Sequence, residues 1–267
     1  MKPLVDFYLT NMKIAVMEQF QHRAQNYFYL TARIVEPVIY LVVWTTIARQ
    51  QGGAIGGYTV GGLTAYYIVW TLVRQMNIGR TPYDWEHTLQ DGWFASHLMW
   101  PVSVLHHDLS YFGGWKFVQI LFWLPVAAIL TLIFRPNIHP TGWQVAAFFV
   151  AIWAAYFIRQ MILTFMGLIS FWTTRVTAIF DLVFALELIL SGRLVPMTFM
   201  PAWVQQLAFW MPFQWTFYFP IQALVGNLAP AGLLSGLGMQ LLWAVAGWLA
   251  VKAFWNLSVR RFTAVGN

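Results

Sequence analysis

Apolar residues in this chain fall into long runs separated by short polar stretches, and run length sets the first expectation. A predominantly apolar run of about 17 residues or more reads as a membrane-spanning helix, because a helix rises about 1.5 Å per residue and the hydrocarbon core is about 30 Å thick. The first span covers residues 27–47, with Arg33 and Glu36 in its first half. The second lies near 63–73 and needs Thr59, Val60 and residues up to Met76 to cross. A third covers 117–134 and is ended by Arg135 and Pro136. The fourth, 143–172, is about 45 Å long as a helix and has Arg159 near its middle. Arg175 opens a short turn into a fifth span, 178–194, which contains Glu187; the last covers 233–254. The expected fold is an all-α polytopic membrane protein with six transmembrane helices, forming a single transmembrane domain over residues 1–267.

Three segments depart from this rhythm. Within 1–26, residues 4–20 place Val5, Tyr8, Leu9, Met12, Val16 and Phe20 on one stripe, with Asp6, Lys13, Glu18, Gln21 and His22 elsewhere on the wheel. That pattern predicts an amphipathic interfacial helix lying in the membrane plane, the alternative being a solvated helix packed on a partner domain. Residues 77–112 are too polar to span and hold Arg80, Asp84, Glu86, Asp91, Asp108 and four of the six His. Residues 195–229 are apolar but broken by Pro196, Pro201, Pro212 and Pro220 into pieces too short to cross. Two short re-entrant helices dipping from the outer face are expected there, since irregular backbone survives at membrane depth only where protein or a cavity surrounds it.

Composition agrees with the pattern: 60% of residues are hydrophobic and only 9% are charged, too few to coat a water-facing surface. Sixteen Trp and eleven Tyr suit a chain with two membrane–water interfaces to line. The net charge of +6 is spread between apolar segments rather than clustered, which argues against a nucleic-acid partner. If six spans are laid out, Lys2, Lys13, Arg23, Arg33, Arg74, Arg80, Lys116, Arg175, Lys252, Arg260 and Arg261 share one side, against Arg49, Arg135 and Arg193 on the other. The positive-inside rule then puts both termini in the cytoplasm, and the expected location is a bacterial inner membrane. The N-terminus has neither the apolar core nor the cleavage site of a signal peptide. No Cys is present, so disulfides and thiol chemistry are excluded.

Little in the chain suggests bond chemistry. There is no G-x-x-x-x-G-K-[ST] loop, so no nucleotide-binding P-loop and no catalytic residue is expected. His106-His107-Asp108 offers potential metal ligands, but adjacent helical residues point about 100° apart, and chelation from one face needs i, i+4 spacing. No metal site is assigned. The informative segment is 84–115, where a short helix over 84–89 should end near Asp91-Gly92, glycine supplying the left-handed turn, before an apolar piece runs into Pro101. Such a helix–turn suits a docking peg for another protein; a structural cover for the bundle end is the alternative.

Here the sequence resembles a family. LQDGWFASHLMWPVSVLHH is similar to the cytoplasmic coupling loop of type-2 ABC-transporter permeases, with Trp93 where that pattern has Leu. Phe171-Trp172, the stretch SGRLVPMTFMPAWVQQLAFWMPFQWTFYFP and the tail RRFTAVGN resemble the subgroup whose ATPases are separately encoded. The resemblance implies six spans, an interfacial first helix, a second permease subunit, identical or homologous, and two cytosolic ATPases that hold the ATP and Mg; this chain needs no cofactor. It places ATPase coupling on Thr88, Leu89, Asp91, Gly92, Trp93, Leu98 and Pro101, and an outer gate on Pro196, Pro201, Trp203, Pro212, Phe213 and Pro220. The expected activity is export of an amphipathic or lipid-like compound, with membrane lipids as surroundings. The rival is an ion-coupled carrier using the intramembrane Glu36, Arg159 and Glu187, since such charges are functional by default; an enzyme built on the His-rich loop is a second. Arg159 and Glu187, near the middles of neighbouring antiparallel helices, are expected to pair, with Glu36 the other candidate for Arg159.

Overall fold

The computed structural model describes residues 2–173, 176–226 and 228–262. The Arg33 side chain, Arg175 and the last five residues of the tail motif lie outside the described residues. The chain is helical almost throughout. Among the described residues, four helices are long and apolar enough to cross a membrane: α2 (Arg23–Gln50), α6 (Val104–Phe134), α7 (Gly142–Leu168, extended by a 3-10 turn Ile169–Phe171) and α12 (Pro230–Val259). They correspond to the first, third, fourth and sixth expected spans, and the chain is a multi-pass membrane protein.

The second expected span is α3 (Val60–Met76), 17 residues or about 25 Å. It begins where Thr59 caps it, the hydroxyl accepting from Gly62 N at 3.1 Å. Residues 63–73, Gln75 and Met76 are all buried, so α3 is the centre of the bundle and the main apolar core forms around Trp70, Tyr66 and Tyr67. The Gly-rich stretch before it is a hairpin rather than a plain loop. Strands β1 (Ala54–Ile55) and β2 (Tyr58–Thr59) pair across Gly56 and Gly57, whose φ of 54° and 84° suit a two-residue turn with both centres left-handed.

The fifth span is shorter than expected. Helix α8 (Thr177–Leu190) has 14 residues, about 21 Å, and stops four residues before position 194. Gly192, at φ 77°, turns the chain off α8 and across α3. There Tyr66 Oη donates to Gly192 O at 2.7 Å, Trp70 Nε1 to Arg193 O at 3.1 Å and Tyr67 Oη to Leu194 O at 3.3 Å. Aromatic donors on the central helix thus satisfy a non-helical stretch that carries no ladder of its own.

After a 3-10 turn, Met197–Phe199, the proline-broken segment forms three short helices rather than two: α9 (Ala202–Trp210), α10 (Phe213–Thr216) and α11 (Tyr218–Val225). Its turning point lies well inside the bundle. Thr216 O accepts from Asn77 Nδ2 just beyond α3 at 2.8 Å, and Trp215 O accepts from Gln240 Nε2, ten residues into α12, at 2.8 Å.

At the N-terminus, α1 (Lys2–Gln21) runs along the first half of α6 and does not lie apart from the bundle. Its buried face is Asn11, Ala15 and Gln19, while Val5, Leu9 and Phe20 of the expected apolar stripe are exposed and Tyr8, Met12 and Val16 are half-buried. The polar positions find partners on α6: Asn11 Nδ2 reaches Ser110 Oγ at 2.6 Å, and the Met12 backbone sits where a Cβ on Gly114 would come within 2.5 Å. The apolar residues are left facing outward, as on a helix surrounded by lipid. The boundary expected at residue 26 falls inside α2.

Candidate functional site

The segment expected to couple resolves into α4 (Pro82–Gln90), a turn, and α5 (Phe94–Leu98); residues 104–112, expected in the loop, already belong to α6. Helix α4 starts where the sequence forces it to. Pro82 follows Thr81, and Thr81 and Asp84 form a reciprocal capping box. It stops at Asp91, and Gly92 at φ 73° supplies the left-handed residue that turns the chain into α5.

One face of this helix pair is locked into the bundle. Trp85 is fully buried against Gly167 of α7, where a Cβ would come within 2.3 Å of the indole. Phe94 is fully buried against Phe171 and Phe262, with ring centroids 5.0 and 5.1 Å away. Trp172 stacks on Phe254 at 4.6 Å, with the Arg261 guanidinium 5.8 Å from its ring centroid. The Phe171-Trp172 and Arg261-Phe262 positions that carry the family resemblance therefore form the seat under α4 and α5.

Arg80 adds a polar tie. Its Nη2 donates to Thr88 Oγ1 at 2.7 Å, its guanidinium lies 4.7 Å from the Trp85 ring centroid, and its Nη1 is 3.6 Å from the buried carboxylate of Asp108 on α6. Below it, Lys116 is fully buried and its ammonium caps the C-terminal end of α3 through Gln75 O (3.0 Å) and Ile78 O.

The opposite face is open. Trp93 is 68% exposed and Met99 81%, with Leu98, Trp100 and Pro101 exposed beside them; Asp91 and Gly92 are exposed at the turn, while Thr88 and Leu89 are half-buried. A groove of about 340 Å³ lies between the two short helices, lined by Asp84, His87, Thr88, Asp91, Trp93 and His97. Burial and the nearby Arg80 charge hold the His97 imidazole below its usual range. Tyr83 donates to Asp181 of α8 at 2.7 Å, and that carboxylate pushes the phenol's pKa up. The element thus touches α6, α7, α8 and α12 at once.

Two charge clusters lie inside the bundle. Arg159 Nη1 meets Glu187 Oε2 at 2.5 Å, joining α7 to α8, with the carboxylate almost fully buried. Glu36 is not a partner of Arg159. It accepts from Arg74 of α3, and both its oxygens accept from Arg193 Nη2 at 3.2 Å. Arg193 had been placed at the outer surface by the span layout; the turn at Gly192 carries it inward instead. His106 and His107 do not converge either: His106 Nδ1 meets Tyr8 Oη of α1 at 2.8 Å, whereas His107 Nδ1 lies 3.5 Å from Asp108.

In the proline-broken segment, Phe213, Pro196 and Pro220 are buried, Pro212 is half-buried, and Pro201 and Trp203 are exposed. An apolar cavity of about 280 Å³ separates α7, α8 and α12 near Met161, Phe165, Val183 and Trp243.

Trp85 and Gly167 were not singled out from the sequence, and Arg80, Asp108 and Lys116 were not expected to hold α4 and α5 in place. The capping box from Thr81 to Asp84 was the available signal for where α4 begins; nothing local marks Gly167 as the seat of a tryptophan. The shape of this molecule, a bundle with a two-helix peg seated at one end and short broken helices entering from the other, is a whole-chain property, and the comparisons with known proteins bear on it at that scale. No curated protein matches the chain significantly. The family model described as ABC-2 family transporter protein matches residues 34–266, the peg, the charge clusters and the broken segment included, and the chain belongs to that family.

Proposed function

We propose that this chain is one permease half of an exporter that moves an amphipathic or lipid-like compound out of the cytoplasm, driven by two ABC ATPase subunits on separate polypeptides. Membership of the family makes it the membrane component of an ABC transporter. The observation that carries the finer reading is the α4–α5 peg: buried through Trp85 and Phe94, open through Trp93, Leu98 and Met99, and wired to four helices. A force applied to such an element moves the bundle instead of bending a loop. ATP and Mg are held by the partner ATPases, and a second permease subunit, identical or homologous, completes the path. The peg end faces the cytoplasm of a bacterial inner membrane, and α9 to α11 form a re-entrant gate on the outer side around Pro196, Pro201, Trp203, Pro212, Phe213 and Pro220. The apolar cavity between α7, α8 and α12 supports an amphipathic cargo.

An ion-coupled carrier needs carboxylates free to take and release a cation. Glu36 and Glu187 each sit against arginine instead, which favours the ATP-driven reading. The test is reconstitution. The purified chain should hydrolyse no ATP and should bring down an ATPase when isolated gently from cells. Transport by the single chain in ATPase-free liposomes overturns the proposal.

A further inference from the structure

The two internal charge clusters differ in their balance. Arg159 and Glu187 neutralise each other one to one. The other cluster sets two guanidiniums, Arg74 and Arg193, against the single carboxylate of Glu36, leaving one positive charge over among the described residues. Glu36 lies midway along α2, while Arg74 lies in the last turn of α3, about 21 Å along it from Val60. Charges that persist within membrane helices mark substrate or ion pathways.

The cluster is also built and open. Both guanidiniums flank the Trp70 ring, with Arg74 5.4 Å and Arg193 5.9 Å from its centroid, a favourable cation–aromatic arrangement. Arg193 is fixed from both sides of its backbone: Trp70 Nε1 donates to its carbonyl at 3.1 Å, and its N–H donates to Ser191 Oγ at 3.2 Å. A Cβ on Gly192 would come within 2.9 Å of Tyr218, so the turn that delivers Arg193 admits only glycine. Arg193 Nε is buried with no hydrogen-bond partner. Yet the three charged side chains keep 22–31% exposure, so the cluster opens to the exterior. Val35 and Ile39, on either side of Glu36 along α2, are more than half exposed, giving an apolar flank beside a cationic pocket.

We infer that Arg74 and Arg193 form a binding site for the phosphate headgroup of an anionic amphiphile, with Glu36 as the internal counter-ion that spaces them and Val35 and Ile39 facing its acyl chain. Guanidinium forks match a phosphate's oxygens geometrically, and the surplus charge is neutralised when the headgroup arrives. The assignment of this amphiphile to the cargo rests on the exporter reading; the binding itself does not.

The experiment measures thermal unfolding of the purified full chain in neutral detergent, titrated with phosphatidylglycerol, with phosphatidylcholine of the same acyl chains, and with inorganic phosphate. Phosphatidylglycerol should stabilise the protein well beyond the other two. Arg74→Gln and Arg193→Gln should each weaken that binding tenfold or more, Arg193→Lys severalfold, and Lys252→Gln, an exposed interfacial cation, should leave it unchanged. Glu36→Gln should bind at least as tightly as the parent. Equal stabilisation by phosphatidylcholine or by phosphate alone overturns the site, as does unchanged binding in the arginine variants. Should Arg193→Gln fail to fold, parental binding by Arg193→Lys or weaker binding by Glu36→Gln overturns it. No ATPase is needed, so failure here leaves the exporter reading standing. In the assembled complex, phosphatidylglycerol should stimulate ATP turnover; binding without stimulation overturns the assignment of the headgroup to cargo.

Discussion

At the scale of single residues, Arg159 and Glu187 are a direct case of mutual dependence. Glu187 is 1% exposed and Arg159 11%, so removing either leaves the other's charge largely shielded from water. Breaking a buried pair from one side typically costs about 3–5 kcal/mol, whereas replacing both partners by apolar groups is often neutral. Arg159→Leu and Glu187→Leu should each lower the melting temperature sharply, and the double replacement should recover most of the loss. Additive losses would show that the two residues act independently. This contact was legible in the sequence because both residues lie near the middles of consecutive helices joined by a few residues. The partners of Glu36 were not. Arg193 lies 157 residues away, and its inward position depends on Gly192, on the early end of α8 and on three aromatic donors of α3 that accept the turn. No local pattern encodes that depth.

Among the elements, α4 was placed to within two residues: its end was read from Gly92, whereas its start at Thr81, Pro82 and Asp84, equally local capping chemistry, was not. Gly92 has open space around the position of a Cβ, so its φ of 73° is the only obstacle to a side chain. A β-branched residue there strains the backbone by about 1–2 kcal/mol without touching the core. Gly92→Val should therefore keep the parental melting temperature to within a few degrees while reducing the yield of co-purified ATPase severalfold. Pull-down yield and coupled ATP turnover at the parental level would show that the turn is not part of the docking element. Helix α1 turns its apolar stripe outward, because in a membrane protein the exterior is itself apolar. The bundle takes the side that can hydrogen-bond or pack closely, here Asn11, Ala15 and Gln19. Helix α8 ends early for another reason: its last residues are followed by backbone that α3 satisfies, so length alone overestimated the span.

For the molecule as a whole, sidedness turns on which basic residues lie at the surface, and not all of them do. Arg74 and Arg193 belong to the Glu36 cluster, Lys116 caps α3, and Arg80 faces Asp108, so none of the four reports directly on a membrane side. What remains exposed still divides unevenly. Lys2, Lys13, Lys252, Arg260 and Arg261 lie in the halves of α1 and α12 toward the peg or just beyond them, against Arg49 and Arg135 at the hairpin end, and the proposed sidedness rests on that smaller set. The path of the chain agrees: α2, α3, α6 and α7 alternate direction, residues 177–226 return from the peg end to the hairpin end, and α12 goes back. Both termini then share the peg side whether or not α8 alone crosses the membrane. A chain without cysteine allows each point to be tested singly. Gln51→Cys in the hairpin and Trp203→Cys on α9 should react with a membrane-impermeant maleimide in intact cells. Met99→Cys on the peg and Arg260→Cys beyond α12 should react only after permeabilisation. Labelling of position 260 from outside inverts the topology, puts the peg out of reach of a cytoplasmic ATPase, and removes the mechanical basis of the proposed function.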